Sequence, residues 1–207
     1  MNRLVLMVKA PVLGAVKTRL ARDIGGAQAV SAYRTMALLL VRRLARDPRW
    51  QLTLALAPDA ALAAGVFPAG PERVGQGRGD LGRRMQRAFD RFRAQGPTLI
   101  IGSDIPGISA AHIAGAFRRL RGLDAVLGPA ADGGYWLIGL SHIRRRLTPF
   151  RAVRWSSAHA LADTLASLKG ARTGLLGVLA DADTGAEWRD WARQSARVRL
   201  IGRSAEF

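Results

Sequence analysis

Lys17 and Arg19 stand close together after a turn-forming Gly14, in the stretch Lys9 to Leu20. Backbone N–H groups around a flexible glycine, followed by two cations, suit the oxygens of a diphosphate. The stretch matches neither the Walker A nor the GxGxxG pattern, and a solvated basic loop has the same composition. Asp104 lies in Gly102-Ser103-Asp104-Ile105-Pro106-Gly107. Its carboxylate is the hard oxygen donor that Mg²⁺ or Mn²⁺ takes alongside phosphates. An Asp ahead of a Pro is equally a turn former. Asp132-Gly133-Gly134 leads into Tyr135 and reads as a hairpin turn, or as backbone that a ligand approaches closely, with Asp132 on a hydroxyl or metal-bound group. Gly79-Asp80-Leu81 closes a glycine-rich loop that can edge a base or ribose, while Asp80 can also cap a helix. Asp181 and Asp183 precede the capping box Thr184/Glu187. One of them is a candidate second metal carboxylate; both also suit a helix dipole.

Other chemistries drop out. The chain has no Cys, which excludes disulfides, thiolate metal sites and a cysteine nucleophile. His112, His142 and His159 lack metal-ligand spacing, and Ser103 lies in no GxSxG elbow. A net charge of +17, with 32 Lys plus Arg against 15 Asp plus Glu, raises a polyanionic partner such as nucleic acid. No helix-turn-helix, RNP or zinc-finger pattern supports that partner, and a small phosphorylated ligand fits the same charge. No apolar run approaches the roughly 20 residues of a membrane span. A soluble cytoplasmic protein is expected, and the oligomeric state stays open.

These loops need strands and helices to hold them. Apolar runs at Arg3 to Val8, Leu52 to Ala57, Thr98 to Ile101, Asp124 to Leu127, Tyr135 to Leu140 and Gly174 to Leu179 read as strands. Helical periodicity covers Ala27 to Arg46, Asp80 to Ala94, Ser109 to Leu120 and His159 to Leu168. In the second of these, Arg83, Arg84, Arg87 and Arg91 are expected to face solvent, as is the run Arg144-Arg145-Arg146. Phe67 to Gly79 reads as one long irregular segment. With 207 residues, this alternation predicts one α/β domain with a mostly parallel sheet. Ligands then bind at the carboxyl ends of the strands, where the four loops after strands fall.

Taken in order, KAPVLGAVKTRL, GDLGRRM, GSDIPG, GPAADGGYWLIGL, VRWSSAHALADTLA and DADTGAEW resemble the DUF2064 family. That family is grouped with GT-A nucleotide-diphospho-sugar transferases, and includes members labelled rSAM- or arsenosugar-associated glycosyltransferases. More distant similarity runs to 2-phospho-lactate guanylyltransferase. The resemblance implies a three-layer α/β/α GT-A fold over residues 1–207 with a mostly parallel mixed sheet and a divalent cation, Mg²⁺ or Mn²⁺. It implies catalytic roles for Lys17, Arg19 and Asp104, with metal carboxylates at Asp104 and Asp183. Nucleotide binding would fall to Lys9, Ala10, Pro11, Gly14, Gly79, Asp80, Leu81 and Ser103. The acceptor or sugar side would be Asp132, Gly133, Gly134 and Tyr135, with Trp155 bordering the pocket or packing. The implied partners are a nucleotide-sugar or NTP and a small acceptor: glycosyl transfer first, nucleotidyl transfer with pyrophosphate release as the alternative. Leu13, Ile105 and Gly185-Ala186 depart from the family's usual Pro, Cys and Pro-Glu.

Overall fold

The computed structural model describes residues 1–142, 147–179, 185–189 and 193. Strand β1 (Arg3–Lys9) is followed by helices α1 (Thr18–Ile24) and α2 (Gly26–Ala45). Next come β2 (Gln51–Ala57), β3 (Glu72–Gly75), α3 (Leu81–Phe92) and β4 (Thr98–Gly102). Helix α4 (Ala110–Leu120), the hairpin β5 (Ala125–Pro129) and β6 (Tyr135–Leu140), α5 (Ala160–Ser167) and β7 (Thr173–Leu175) complete the named elements. Residues 185–189 are helical. Asp181, Asp183, Thr184 and the run Arg144 to Arg146 lie outside the described residues.

The strands form one sheet in the order β3-β2-β1-β4-β6-β5-β7. Only β6 runs against its neighbours, pairing antiparallel with β4 and β5. β1 shows why the sheet is covered on both faces. Leu4, Leu6 and Val8 pack with Leu40, Leu44 and Phe117 of α2 and α4, whereas Val5 and Met7 pack with Met85, Phe89 and Phe92 of α3. Successive side chains of a strand point to opposite faces, so an unbroken apolar run needs a helix layer on each side. The result is the expected α/β/α sandwich.

Three elements differ from the expectation. Glu72–Gly75 is an edge strand inside the segment read as irregular; only Val74 is buried there, so no apolar alternation marks it. Helix α1 buries only Leu20, and no side chain caps its start. The last strand is shorter than expected: pairing with β5 ends at Leu175, and a single bridge joins Leu179 to Ala130.

The chain leaves β1 for β2 and β3 on one side, then crosses back to β4 on the other. Such a reversal opens a crevice between the carboxyl ends of the two central strands. Here those strands are β1 and β4.

Candidate active site

Lys9 ends β1 and Ser103-Asp104 follow β4, so the reversal brings both loops together. Lys17 completes the pair. Its Nζ lies 3.2 Å from Oδ1 of Asp104, its side chain is 2% exposed, and that of Asp104 is 56% exposed. Lys17 has a left-handed backbone, φ 48°, at the start of α1. That conformation is uncommon for a residue with a Cβ and needs surrounding structure to hold it.

A residue missed from the sequence ties this arrangement together. Tyr33, from α2, is buried beneath the loops. The Lys9 N–H donates to its phenol oxygen at 2.8 Å, and the phenol lies 3.2 Å from the Lys9 carbonyl. Ser103 Oγ is 3.0 Å away. One proton assignment satisfies every group: Tyr33 donates to the Lys9 carbonyl and accepts from Lys9 N–H and Ser103 O–H. Burial pushes the phenol up to about 12, with the nearby Asp104 carboxylate adding to the rise. Tyr33 is therefore neutral at physiological pH and acts as a strut between β1 and β4.

From the carboxyl end of β1 opens a cleft of about 660 Å³, lined by Lys9, Ala10, Ala57, Pro58, Asp59, Gly77, Arg78, Gly79 and Arg84 among others but by neither Lys17 nor Asp104. Its glycine loop is held from several sides. Asp59 Oδ1 accepts from Gly77 N–H at 2.9 Å. Gln76, buried, donates to the Val8 and Ala55 carbonyls at 3.1 and 2.8 Å, joining β1 and β2 beneath the cleft. Arg84 Nε donates to the Gly79 carbonyl at 2.8 Å, and Arg87 donates to the carbonyls of Gln76 and Arg78. Arg87 is exposed as expected and Arg84 is half-buried, yet both also hold the glycine loop. A guanidinium reaches back to unpaired loop carbonyls because it offers several donors in a rigid fork. Arg83 stays exposed, and Arg91 bonds Glu72 at 3.3 Å.

The other expected residues divide. Ala10 and Gly79 line the cleft with Lys9. Pro11, Gly14 and exposed Arg19 lie on the loop and first turn leading to α1. Asp80 caps α3, accepting from the Arg83 N–H at 2.8 Å, and faces a separate cleft with Phe150 and Arg151. Leu81 is exposed beside it. Asp132 folds onto its own turn, accepting from the Gly134 N–H at 2.9 Å. Gly133, at φ 83°, sits so close to Ala158 that a Cβ would strike its carbonyl. Tyr135 meets Trp155 edge-on with ring centroids 6.5 Å apart, and Trp155 packs on Phe150 at 5.9 Å. Burial raises the Tyr135 phenol as well. Pairing of Pro129 with Tyr135 puts this hairpin at the same sheet edge as Asp104. Among the described residues, no three His, Asp or Glu side chains converge as a metal-binding group.

Sequence signals for Asp59 and Gln76 exist, since both follow strand ends. Tyr33 carries none, because its spacing on α2 matches an ordinary core residue.

Residues 40–157 match the model of the DUF2064 family, described as uncharacterized proteins conserved in bacteria. No curated protein matches the chain. A candidate nucleotide-diphospho-sugar transferase from Desulfovibrio desulfuricans G20 superposes with a TM-score of 0.80 at 29% identity, over 88% of this chain and 82% of that one. Rv0371c from Mycobacterium tuberculosis H37Rv, solved with manganese, gives 0.52 at 20% identity, over 91% and 96% of the two chains. Molybdopterin-guanine dinucleotide biosynthesis protein A from Archaeoglobus fulgidus gives 0.54 at 11%, over 95% and 100%. At such identities the last two share the fold alone. With more than half its length matched and every described motif on this fold, the chain belongs to the DUF2064 family and has the fold of nucleotide-diphospho-sugar transferases and nucleotidyltransferases.

Proposed function

We propose that the chain, acting as one domain, transfers a sugar from a nucleotide-sugar to a small acceptor. The observation that carries this reading is the Lys17–Asp104 pair at the crevice between β1 and β4. A buried ammonium stem and an exposed carboxylate stand there, and a cleft of about 660 Å³ begins at Lys9 at the end of β1. That volume lies in the range of small-molecule sites. The base and ribose would rest on Ala10, Ala57, Pro58 and Gly79, where backbone and small side chains leave room. Lys17 and Arg19 would take the phosphates, with Lys9, Pro11, Gly14 and Ser103 shaping the nucleotide side, and Asp80 and Leu81 would act from the start of α3 by holding the end of the glycine loop. Asp132, Gly133, Gly134, Tyr135 and Trp155 would border the acceptor.

The donors fit a divalent cation. Asp104 presents a hard oxygen at the crevice, and a single described carboxylate suits Mg²⁺ or Mn²⁺, which complete their shells with phosphate oxygens and water. Asp104 and Asp183 would hold it, and it would supply positive charge against the phosphates. The manganese bound by Rv0371c, a fold neighbour, supports this choice. Lys17 is already fixed before substrate arrives, so its charge opposes the negative charge growing on the leaving diphosphate without reorganising. Tyr33 keeps β1 and β4 in register beneath it.

Nucleotidyl transfer is the second reading, favoured by two cations on the β1 loop and by the likeness to the molybdopterin-guanine dinucleotide protein. Incubation with NTPs or nucleotide-sugars and a metabolite extract, followed by mass spectrometry, separates the two. Nucleoside diphosphate release supports glycosyl transfer, pyrophosphate release supports nucleotidyl transfer, and neither product with any donor overturns both.

A further inference from the structure

A second cleft, of about 430 Å³, opens at the opposite edge of the sheet. Asn2, Trp50 and Pro97 lead into β1, β2 and β4, and Ser141 leaves antiparallel β6, so all four mark the amino edge. One strand length, roughly 20 Å, separates it from the Lys17–Asp104 crevice. Its apolar wall is Trp50 and Phe117, stacked with centroids 6.1 Å apart. Its rim carries Arg49, Arg118, Arg121 and Arg172, with His142 beside them, and no Asp or Glu lines it. Arg49 and Arg172 are paired with Asp47 and Asp124. Arg118 and Arg121 have no carboxylate partner among the described residues. Ser141 lines the same cleft, and its buried Oγ has no hydrogen-bond partner there. A buried hydroxyl left without a partner is costly, and a ligand oxygen can supply one.

We infer that this cleft is a second ligand site, for a small phosphorylated molecule bearing a flat apolar ring. The ring would meet the edges of Trp50 and Phe117 that line the cleft, beside the Arg49 guanidinium that lies 5.2 Å over the Trp50 ring. Arg118 and Arg121 would fork onto the phosphate, as guanidinium does with oxyanions. A turn of the Ser141 side chain would bring its hydroxyl into the cleft to donate to a phosphate oxygen.

Phenyl phosphate is the probe, titrated calorimetrically into the full chain at physiological ionic strength. Saturable binding is expected, weaker for inorganic phosphate. Arg118→Ala/Arg121→Ala should weaken it by about tenfold or more. Arg34→Ala/Arg42→Ala removes the same charge from the exposed face of α2 and should leave the affinity unchanged, as should Lys17→Met. Thermal melts check that each variant folds, and Arg121→Gln with Ser141→Ala gives a milder pair that should also bind more weakly. Absence of saturable binding overturns the site. So do equal losses in both Arg pairs, which mark diffuse attraction, or loss in Lys17→Met, which moves the phosphate to the other crevice. Lys17→Met also separates this site from the proposed transferase cleft, whose failure would leave the phenyl phosphate result standing.

Discussion

Lys17 buries its side chain yet ends 3.2 Å from a carboxylate that solvent still reaches. An ion pair with one exposed partner contributes little to stability, ~1 kcal/mol or less. The left-handed backbone at Lys17 fits the proposed use of its charge on a ligand. Lys17→Met keeps the stem and removes the ammonium. It should lower affinity for a nucleoside diphosphate by ~10–100-fold, the worth of one hydrogen bond to a charged group. The nucleoside alone should bind as before, and melting should move little. Equal losses for nucleoside and diphosphate, read by calorimetry, would sink the assignment. Asp104→Asn tests the other half: Mn²⁺ should no longer strengthen nucleotide binding. Both residue types were visible as candidates in the sequence. Their contact was not, whereas the cap role of Asp80 and the turn role of Asp132 were among the readings the sequence offered, and both hold.

At the scale of elements, α2 joins β1 to β4 through one phenol. Tyr33→Phe removes the donor to Lys9 and the acceptor for Lys9 and Ser103, costing ~1–3 kcal/mol. It should also raise the Michaelis constant for the donor, because the crevice loses its strut. The pH dependence has a definite sign. The folded phenol titrates near 12 and an unfolded tyrosine near 10, so Tyr33 contributes stability below pH 10 that is lost as pH rises toward 12. Tyr135, the other tyrosine of the chain, is raised too. At about pH 10.5 the native protein should therefore show almost no phenolate absorbance, while the urea-unfolded chain shows it strongly. A native titration near 10 would refute the buried strut. The β5–β6 hairpin makes a separate prediction. Gly133→Ala should cost ~2 kcal/mol or more, since the Cβ meets the Ala158 carbonyl in a backbone region that disfavours side chains. Thermal denaturation checks it. Long, strongly periodic elements such as α2 and α3 were legible because their apolar spacing is local. The edge strand Glu72–Gly75 and the short α1 were not, because neighbours rather than their own pattern stabilise them.

Across the whole molecule, the excess of arginine has a structural share. Arg43 donates to the Pro106 and Ile108 carbonyls, Arg73 to Phe67 and Pro68, and Arg87 to Gln76 and Arg78. These guanidiniums satisfy loop carbonyls and are not spread as a nucleic-acid face. The remaining charge should still attract polyanions. DNA affinity is expected to fall by an order of magnitude or more between about 50 and 200 mM salt, with no base preference. Lys17→Met should not alter it. A salt-resistant, sequence-selective fraction in a filter-binding assay would restore the nucleic-acid reading. The sequence by itself determined the class of fold, the loops where chemistry sits and the residue types offered there. Hydrophobic period, turn residues and strand-end loops are local properties, so they survive without coordinates. Tertiary structure alone decided which of those loops meet. Tyr33 and Ser103 lie 70 positions apart and touch only because the strand order reverses at β1, and no local pattern encodes that reversal.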